Sequence, residues 1–267
     1  MFRHVSLILV SACLFASQAL AGSTQWHAVE GGAVRLVLPA STEGQRDLRG
    51  AIEIRLEPGW KTYWLDPGSA GVPPSLEVET ANGPAEVEIG FPPPRHFDDE
   101  NGNWAGYDGS VALPFTLRMP EGATAGMATA RIFLGICETI CIPVQADWSI
   151  DLDTEQSAPT DDATVEAAFA TLPQAAQSGF GVRLAEVSDK EISVTIDAPA
   201  SAKIVDLFVA GTEAVALGRP EIDPSGRTGT FVVPVVGLYG KDAWHHAPLR
   251  YTLVTSEGSV SGVLKPE

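Results

Sequence analysis

Two cysteines near the middle of the chain have the spacing of a chemically active pair. Cys137 and Cys141 form a C-x3-C motif between two strand-like runs. If the segment were fully extended, their Cα atoms would be roughly 13 Å apart, well beyond the limit of about 7 Å for a disulfide. Bonding therefore requires a tight turn. Because Pro143 argues against a continuing helix, the sequence predicts a hairpin end with residues 138–140 in the bend.

Three kinds of chemistry fit such a pair. As a structural cross-link, the disulfide would close a short loop and contribute roughly 2 kcal/mol. As a redox pair, the neighbouring sulfurs would allow exchange with a partner's disulfide, with a resolving sulfur close by. As a metal site, two thiolates favour Cu(I), with His245 or His246 as a further ligand. Adjacent side chains of a strand point to opposite faces, so one metal site rarely uses both histidines. Surface positions are therefore favoured for this pair. The residue types alone leave the three alternatives open.

The first 21 residues have the pattern of a cleavable export signal. Basic Arg3 precedes an apolar core, and Ala19 and Ala21 supply the small side chains that signal peptidase requires. A lipoprotein signal ending at Cys13 is the alternative, but the apolar stretch continues beyond that residue. Cleavage after position 21 would leave Cys137 and Cys141 as an even pair in an oxidising compartment, the periplasm.

Composition excludes several classes of function. The chain of 267 residues has a formal net charge of −17, which repels phosphate backbones and anionic lipid headgroups, so we expect no nucleic-acid partner. Beyond the export signal, no segment approaches 18 consecutive apolar residues, so we expect no direct membrane insertion. Motifs for nucleotide binding, hydrolysis or metalloprotease chemistry are absent, so these functions have no support. We expect no cofactor, and no metal apart from the Cu(I) alternative at the cysteine pair.

Hydrophobic periodicity predicts an all-β fold. Apolar residues alternate with polar ones around positions 52–56, 144–152 and 192–196, as expected for half-buried antiparallel strands. The acidic segment 153–162 has the composition of a linker, and a short helix is expected around Val165. With 26 glycines and 20 prolines between short strands, the prediction is two immunoglobulin-like β-sandwich domains with a short helical linker.

The predicted boundaries follow from these patterns. They are a signal peptide at 1–21, a redox β-sandwich at 22–152, a linker with a short helix at 153–178, and a second β-sandwich domain at 179–267.

Ordered sequence blocks in the first domain resemble a known family. The blocks are Gly59–Gly68 (GWKTYWLDPG), Phe91–Arg95 (FPPPR), Gly106–Tyr107, Leu113–Pro114 and Cys137–Pro143 (CETICIP). Together they resemble the N-terminal periplasmic domain of the thiol:disulfide interchange protein DsbD, and most of all its branch of suppressor-of-copper-sensitivity (ScsB-like) proteins. The resemblance spans residues 30–152 and is weaker beyond 160.

The resemblance implies a thiol:disulfide exchange domain that passes electrons from a membrane-embedded thiol reductase to thioredoxin-like periplasmic partners. Cys137 and Cys141 match the family's redox pair. By the family pattern, Cys141 forms the mixed disulfide and Cys137 resolves it. The enzymatic role would be that of a component of a protein-disulfide reductase.

The resemblance also implies a cap over the sulfurs. In the family an aromatic-bearing loop has this role, and residues 96–104 take its place here, with glycine and asparagine near position 102 permitting mobility. The candidates for capping the sulfurs or docking a partner are Phe97, Asp99, Glu100, Trp104, Tyr107 and Tyr63.

The chain departs from the family in two respects. DsbD has a longer spacing between its cysteines, and DsbD and ScsB proteins continue into a membrane-spanning carrier and a thioredoxin-like domain. Because this chain ends at Glu267 without either, we expect separate proteins to reduce it and to receive its electrons. A copper-tolerance protein using the same thiols, or an interaction domain with a structural disulfide, are the alternative functions.

Overall fold

The computed structural model describes residues 23–40, 46–68, 71–99, 102–122, 126–153, 158–223, 229–240 and 248–265. The predicted signal peptide, Cys13, Glu100 and the histidine pair 245–246 lie outside these ranges.

Eleven strands of the described residues form the first β-sandwich. They are β1 (His27–Val29), β2 (Gly32–Val37), β3 (Asp47–Leu56), β4 (Lys61–Tyr63), β5 (Ser75–Thr80), β6 (Gly83–Ile89), β7 (Arg95–Asp99), β8 (Gly102–Tyr107), β9 (Val111–Arg118), β10 (Met127–Cys137) and β11 (Cys141–Asp151).

Alternate residues of the strands are buried, as the hydrophobic periodicity predicts. In β3, Ile52 and Ile54 are buried and Leu56 is half-buried. In β11, Val144, Ala146 and Ile150 are buried between exposed neighbours. The alternation arises because successive strand side chains point to opposite faces. The all-β prediction is therefore confirmed.

Strand β6 connects the two layers of this sandwich. Its residues 83–85 pair with β5, whereas residues 86–89 pair with β9. On the other side of β5 lies β10, which also pairs with β11 along eleven positions and with β4 at its carboxyl end. The strand that ends in Cys137 therefore has neighbours on both edges, which fixes the position of that cysteine.

One helix, α1 (Pro159–Ala170), follows the first sandwich and packs against it. Val165 and Ala168 are buried against Val37 and Ala51 of β2 and β3. The first turn of α1 uses the last residues of the segment predicted as a linker, because proline and aspartate are both favoured at a helix N-terminus. Within the described ranges, no helix has the length and apolar content needed to cross a bilayer.

The second β-sandwich comprises two smaller sheets in the order β12-β20-β19-β15 and β13-β14-β18-β16, with β17 beside β18. The strands are β12 (Gln174–Ala175), β13 (Gly181–Val187), β14 (Glu191–Asp197), β15 (Ile204–Val209), β16 (Val215–Leu217), β17 (Glu221–Ile222), β18 (Thr230–Leu238), β19 (Leu249–Thr255) and β20 (Gly258–Leu264). The predicted alternation at 192–196 falls in β14, where Ile192, Val194 and Ile196 are buried in a separate core. The chain therefore forms two immunoglobulin-like sandwiches with a helix between them, as the sequence predicts.

Candidate functional site

The two cysteines lie at the end of the long β10–β11 hairpin and are joined by a disulfide. Cys137 and Cys141 form the last register pair of the hairpin, with their Cα atoms 4.1 Å apart. Residues 138–140 form the bend, in which the Glu138 amide donates to the Ile140 carbonyl at 3.2 Å. The spacing argument correctly places this bend at residues 138–140.

The two cysteines differ in their exposure to solvent. Cys137 is only 4% exposed, whereas Cys141 is an exposed residue. Beside Cys141, the side chain of Ile140 is 67% exposed. A protein that approaches the hairpin end therefore meets Cys141 and an apolar tip before it meets Cys137.

The hydroxyl of Tyr63 contacts both sulfurs. Its oxygen lies 3.1 Å from Cys137 Sγ and 3.0 Å from Cys141 Sγ. Disulfide sulfurs carry no proton, so the phenol is the donor in these contacts. Tyr63 ends the short strand β4, which pairs with β10 next to Cys137.

Two glycines hold the ring of Tyr63 in this orientation. A Cβ atom at Gly71 would lie 2.2 Å from the ring, and one at Gly135 would lie 2.9 Å from it. Both distances are shorter than real Cβ contacts, so a side chain at either position would displace the ring. The ring itself is only 3% exposed. The phenol is therefore positioned on the sulfurs by close packing.

The segment predicted as a capping loop forms a β-hairpin. Strands β7 and β8, here called the cap hairpin, pair from Arg95↔Gly106 to Asp99↔Gly102. Gly102 has a φ of +105° at the start of β8, a conformation that favours glycine. Strand β8 also pairs with β4, so sheet pairing holds the segment against the strand of Tyr63.

Two of the predicted capping residues lie over the buried cysteine. The Phe97 and Trp104 rings form a register pair and stack with centroids 4.4 Å apart. Trp104 meets the Tyr63 ring edge-on at 5.2 Å. Tyr63, Trp104 and Cys137 form one buried cluster with Phe97 packed against it, which we call the sulfur cluster. The amine of Lys61 lies 5.6 Å from the Phe97 ring centroid, within cation–π range.

The other predicted site residues are placed elsewhere. Tyr107 lies in the core of the first sandwich, where its hydroxyl donates to the Pro92 carbonyl at 2.9 Å and burial raises its pKa well above 10.0. Asp99 ends β7, and Glu100 is outside the described residues. Trp60, for which the sequence favours a core position, is buried in the core of the first sandwich.

Sequence reasoning missed two features of the site. The sequence places Ile140 in the bend but contains no signal that its neighbour Cys141 is exposed. It indicates no role for His96, whose side chain points away from that of Phe97 because successive strand residues face opposite sides. In the structure, His96 contacts the second sandwich.

No group of three or more histidine, cysteine or acidic side chains that could hold a metal occurs among the described residues. The histidines at 245–246, the copper ligands considered from the sequence, lie outside the described part of the chain.

Comparisons with known proteins identify a family model that matches the part of the chain containing the cysteine pair. Residues 33–152 match the family model described as thiol:disulfide interchange protein DsbD, N-terminal, which confirms the resemblance carried by the sequence blocks. The structure of the N-terminal periplasmic domain of ScsB from Proteus mirabilis superposes with a TM-score of 0.71 at 19% identity, covering 92% of this chain and all of that one. At this identity the likeness shows the fold.

Two chaperone structures are far less similar. DraB from E. coli superposes with a TM-score of 0.24 at 8% identity, covering 86% of this chain and 98% of that one. The periplasmic chaperone SfaE gives 0.22 at 14% identity, covering 86% of this chain and all of that one. Neither likeness supports an argument. No curated protein sequence matches the chain.

Proposed function

Because residues 33–152 match the N-terminal domain family of DsbD, we propose that this protein is a periplasmic thiol:disulfide exchange module. It relays electrons from a membrane-embedded thiol reductase to thioredoxin-like partners through Cys137 and Cys141. The observation that carries the proposal is the exposed Cys141 at a hairpin end, bonded to a Cys137 that is shielded by the sulfur cluster.

Delivery of electrons begins with the dithiol form. The Cys141 thiolate attacks one sulfur of the partner's disulfide, and the partner's other sulfur leaves as a thiolate. The Cys137 thiolate then attacks Cys141 Sγ, which releases the partner's second thiolate and forms the Cys137–Cys141 disulfide. Two electrons have then passed to the partner. The exposure of Cys141 and the shielding of Cys137 support this assignment of attacking and resolving sulfurs.

Regeneration runs in the reverse sense. A thiolate of the reductase attacks Cys141 Sγ, and Cys137 leaves as a thiolate inside the sulfur cluster. The second thiol of the reductase then resolves the mixed disulfide, and the reductase is oxidised. The hydroxyl of Tyr63 lies 3.1 Å from Cys137 Sγ and donates to the departing thiolate, which stabilises a charge that would otherwise be buried.

A purely structural disulfide has less support. Two other hairpins of the chain close without one, through Thr80 Oγ1 donating to the Gly83 carbonyl at 2.7 Å and Thr255 Oγ1 donating to the Gly258 carbonyl at 2.9 Å. The β10–β11 hairpin is longer than either and pairs along eleven positions. A cross-link at its end closes a short loop and contributes only roughly 2 kcal/mol.

The location supports the same function. The export signal predicted at residues 1–21 would deliver the chain to the periplasm, the compartment named for the ScsB domain that shares this fold. Thioredoxin-like proteins there supply the disulfides that the dithiol form reduces.

Trapping of mixed disulfides tests the proposal. A Cys137→Ala variant lacks the resolving sulfur, so its Cys141 thiolate should remain bonded to an oxidised thioredoxin-like protein. We expect a disulfide-linked adduct on a non-reducing gel that disappears after reduction. The matched control is Cys141→Ala, which keeps a single thiol at the shielded position and should give little adduct. Absence of adduct with Cys137→Ala, or equal adduct with both variants, would overturn the assignment.

A further inference from the structure

The cap hairpin lies between the cysteine pair and the second sandwich. Phe97 contributes to the sulfur cluster, whereas its neighbour His96 stacks on Phe208 of β15 with ring centroids 4.2 Å apart and planes 20° apart. Successive residues of a strand point to opposite faces. One strand of the hairpin therefore contacts the redox site on one side and the second sandwich on the other.

His96 packs against strand β15 of the second sandwich. Its side chain is only 9% exposed, and its Nε2 lies 3.5 Å from a carboxylate oxygen of Asp206 and 3.4 Å from the Leu207 carbonyl oxygen. A ring protonated at Nε2 donates to that carbonyl. We call His96, Asp206, Leu207 and Phe208 the interdomain contact. It combines ring stacking with a polar contact at a buried position.

Strand β15 belongs to both cores. Leu207 and Val209 are buried in the core of the second sandwich, whereas Phe208, and Ala210 directly after the strand, are buried in that of the first. The residue that stacks on His96 is thus fixed by the packing of two cores. Movement of the hairpin away from Phe208 would remove one of the ring contacts of this buried side chain.

A second contact nearby also joins the two sandwiches. The Gly211 amide donates to an Asp66 carboxylate oxygen at 2.6 Å, and the Trp64 ring lies 5.8 Å from Phe208. Trp64 and Asp66 lie one and three residues after Tyr63 of the sulfur cluster. Two segments that contribute to the sulfur cluster, the one around Tyr63 and the cap hairpin, are therefore attached to the second sandwich.

We infer that the second sandwich controls which sulfur reacts: through the interdomain contact it holds the cap hairpin over Cys137, so that exchange is confined to Cys141. This inference rests on the proposed function and gives the second sandwich a role in it. His96 and Phe208 are positioning residues, because they act through Phe97 and Trp104 and do not touch the sulfurs.

The inference predicts a selective change in thiol reactivity. Cys137 becomes accessible through a local opening of the cap hairpin, and the population of the open form sets its reaction rate. Loss of the His96 stack removes one of the contacts that oppose opening. We expect His96→Ala to raise the reactivity of Cys137 about three- to tenfold, the range expected for one aromatic contact, and to leave that of Cys141 unchanged.

Alkylation by iodoacetamide measures each thiol separately. Cys141→Ala reports on Cys137 alone, and Cys137→Ala reports on Cys141 alone. Each background is combined with His96→Ala, and second-order rates are measured by mass spectrometry on folded protein. A second variant, Phe208→Leu, keeps an apolar side chain in the core but lacks the ring and should act in the same direction. Because Phe208→Leu changes no charge, faster alkylation of Cys137 in this variant reports opening of the hairpin and not a change in electrostatics.

His27→Ala is the matched control. His27 lies on β1, at the opposite end of the strand order from β7, and its loss should leave both rates unchanged. An unchanged Cys137 rate in folded His96→Ala and Phe208→Leu would overturn the inference, as would an equal rise at both cysteines. Because alkylation involves no partner protein, these outcomes are independent of whether mixed disulfides form with a thioredoxin-like protein.

Discussion

The two faces of the cap hairpin differ in chemistry although they alternate along a single strand. On one face, Phe97 stacks with Trp104 over the buried Cys137. On the other, His96 stacks on the Phe208 ring and contacts a backbone carbonyl of the second sandwich. The first face excludes water from a sulfur, and the second attaches the hairpin to a separate core. The comparison shows that different residues carry the shielding and the attachment, so a substitution can be aimed at either face of the strand.

The largest expected effect comes from the sulfur-facing side. Replacement of Tyr63 by phenylalanine removes the donor to both sulfurs and leaves the ring between its two glycines. A hydrogen bond to a charged group contributes about 1.5 kcal/mol or more, so Cys137 should leave as a thiolate about tenfold more slowly or worse. The rate at which dithiothreitol reduces the disulfide measures this step.

Tyr107→Phe is the matched control for that prediction. Tyr107 is also buried and donates to a backbone carbonyl, but it lies in the core of the first sandwich and not in the sulfur cluster. Its variant should lose about 1 kcal/mol of unfolding free energy and keep the wild-type reduction rate. Equal rates for Tyr63→Phe and wild type would show that the phenol has no role in exchange.

A smaller effect is expected on the other face, where pH acts on His96. Burial lowers the pKa of His96 below 6.5; the nearby Asp206 carboxylate opposes this shift, and Arg219 adds to it. The unfolded chain binds the proton at the ordinary pKa, whereas the folded protein binds it only at lower pH. Stability from neutral His96 is therefore present above pH 6.5 and is lost as the pH falls below that value.

Chemical denaturation of wild type and His96→Ala at several pH values isolates this contribution. The difference in unfolding free energy between the two proteins should shrink between about pH 7.5 and about pH 5.5. A difference that stays constant or grows on acidification would contradict a buried, neutral histidine at the interdomain contact.

Periodicity and spacing were sufficient to predict much of the fold. The alternation identified β11 and β14, in which most of the apolar residues predicted to face inward are buried, although Trp148 is only half-buried and the polar Ser193 is buried as well. C-x3-C with Pro143 located the hairpin end. These features depend on neighbours within a few residues, which is the range over which strand periodicity and turn geometry act.

The site itself depended on contacts between distant residues. Tyr63 reaches sulfurs more than seventy positions away, and His96 meets Phe208 from another core. Neither pairing leaves a local pattern. The family resemblance predicts a loop for the cap segment, but pairing of β7 with β8 and of β8 with β4 gives it strand structure. Tertiary pairing overrides local preference in such a segment.

The reduction potential of the Cys137–Cys141 pair tests the central claim most directly. It is measured by equilibration with glutathione or dithiothreitol redox buffers, followed by quantification of free thiols. An exchange module that both accepts and donates electrons should have a potential between about −180 and −270 mV, the interval from protein disulfide isomerase to thioredoxin. A value below about −300 mV, typical of structural disulfides, would contradict the account.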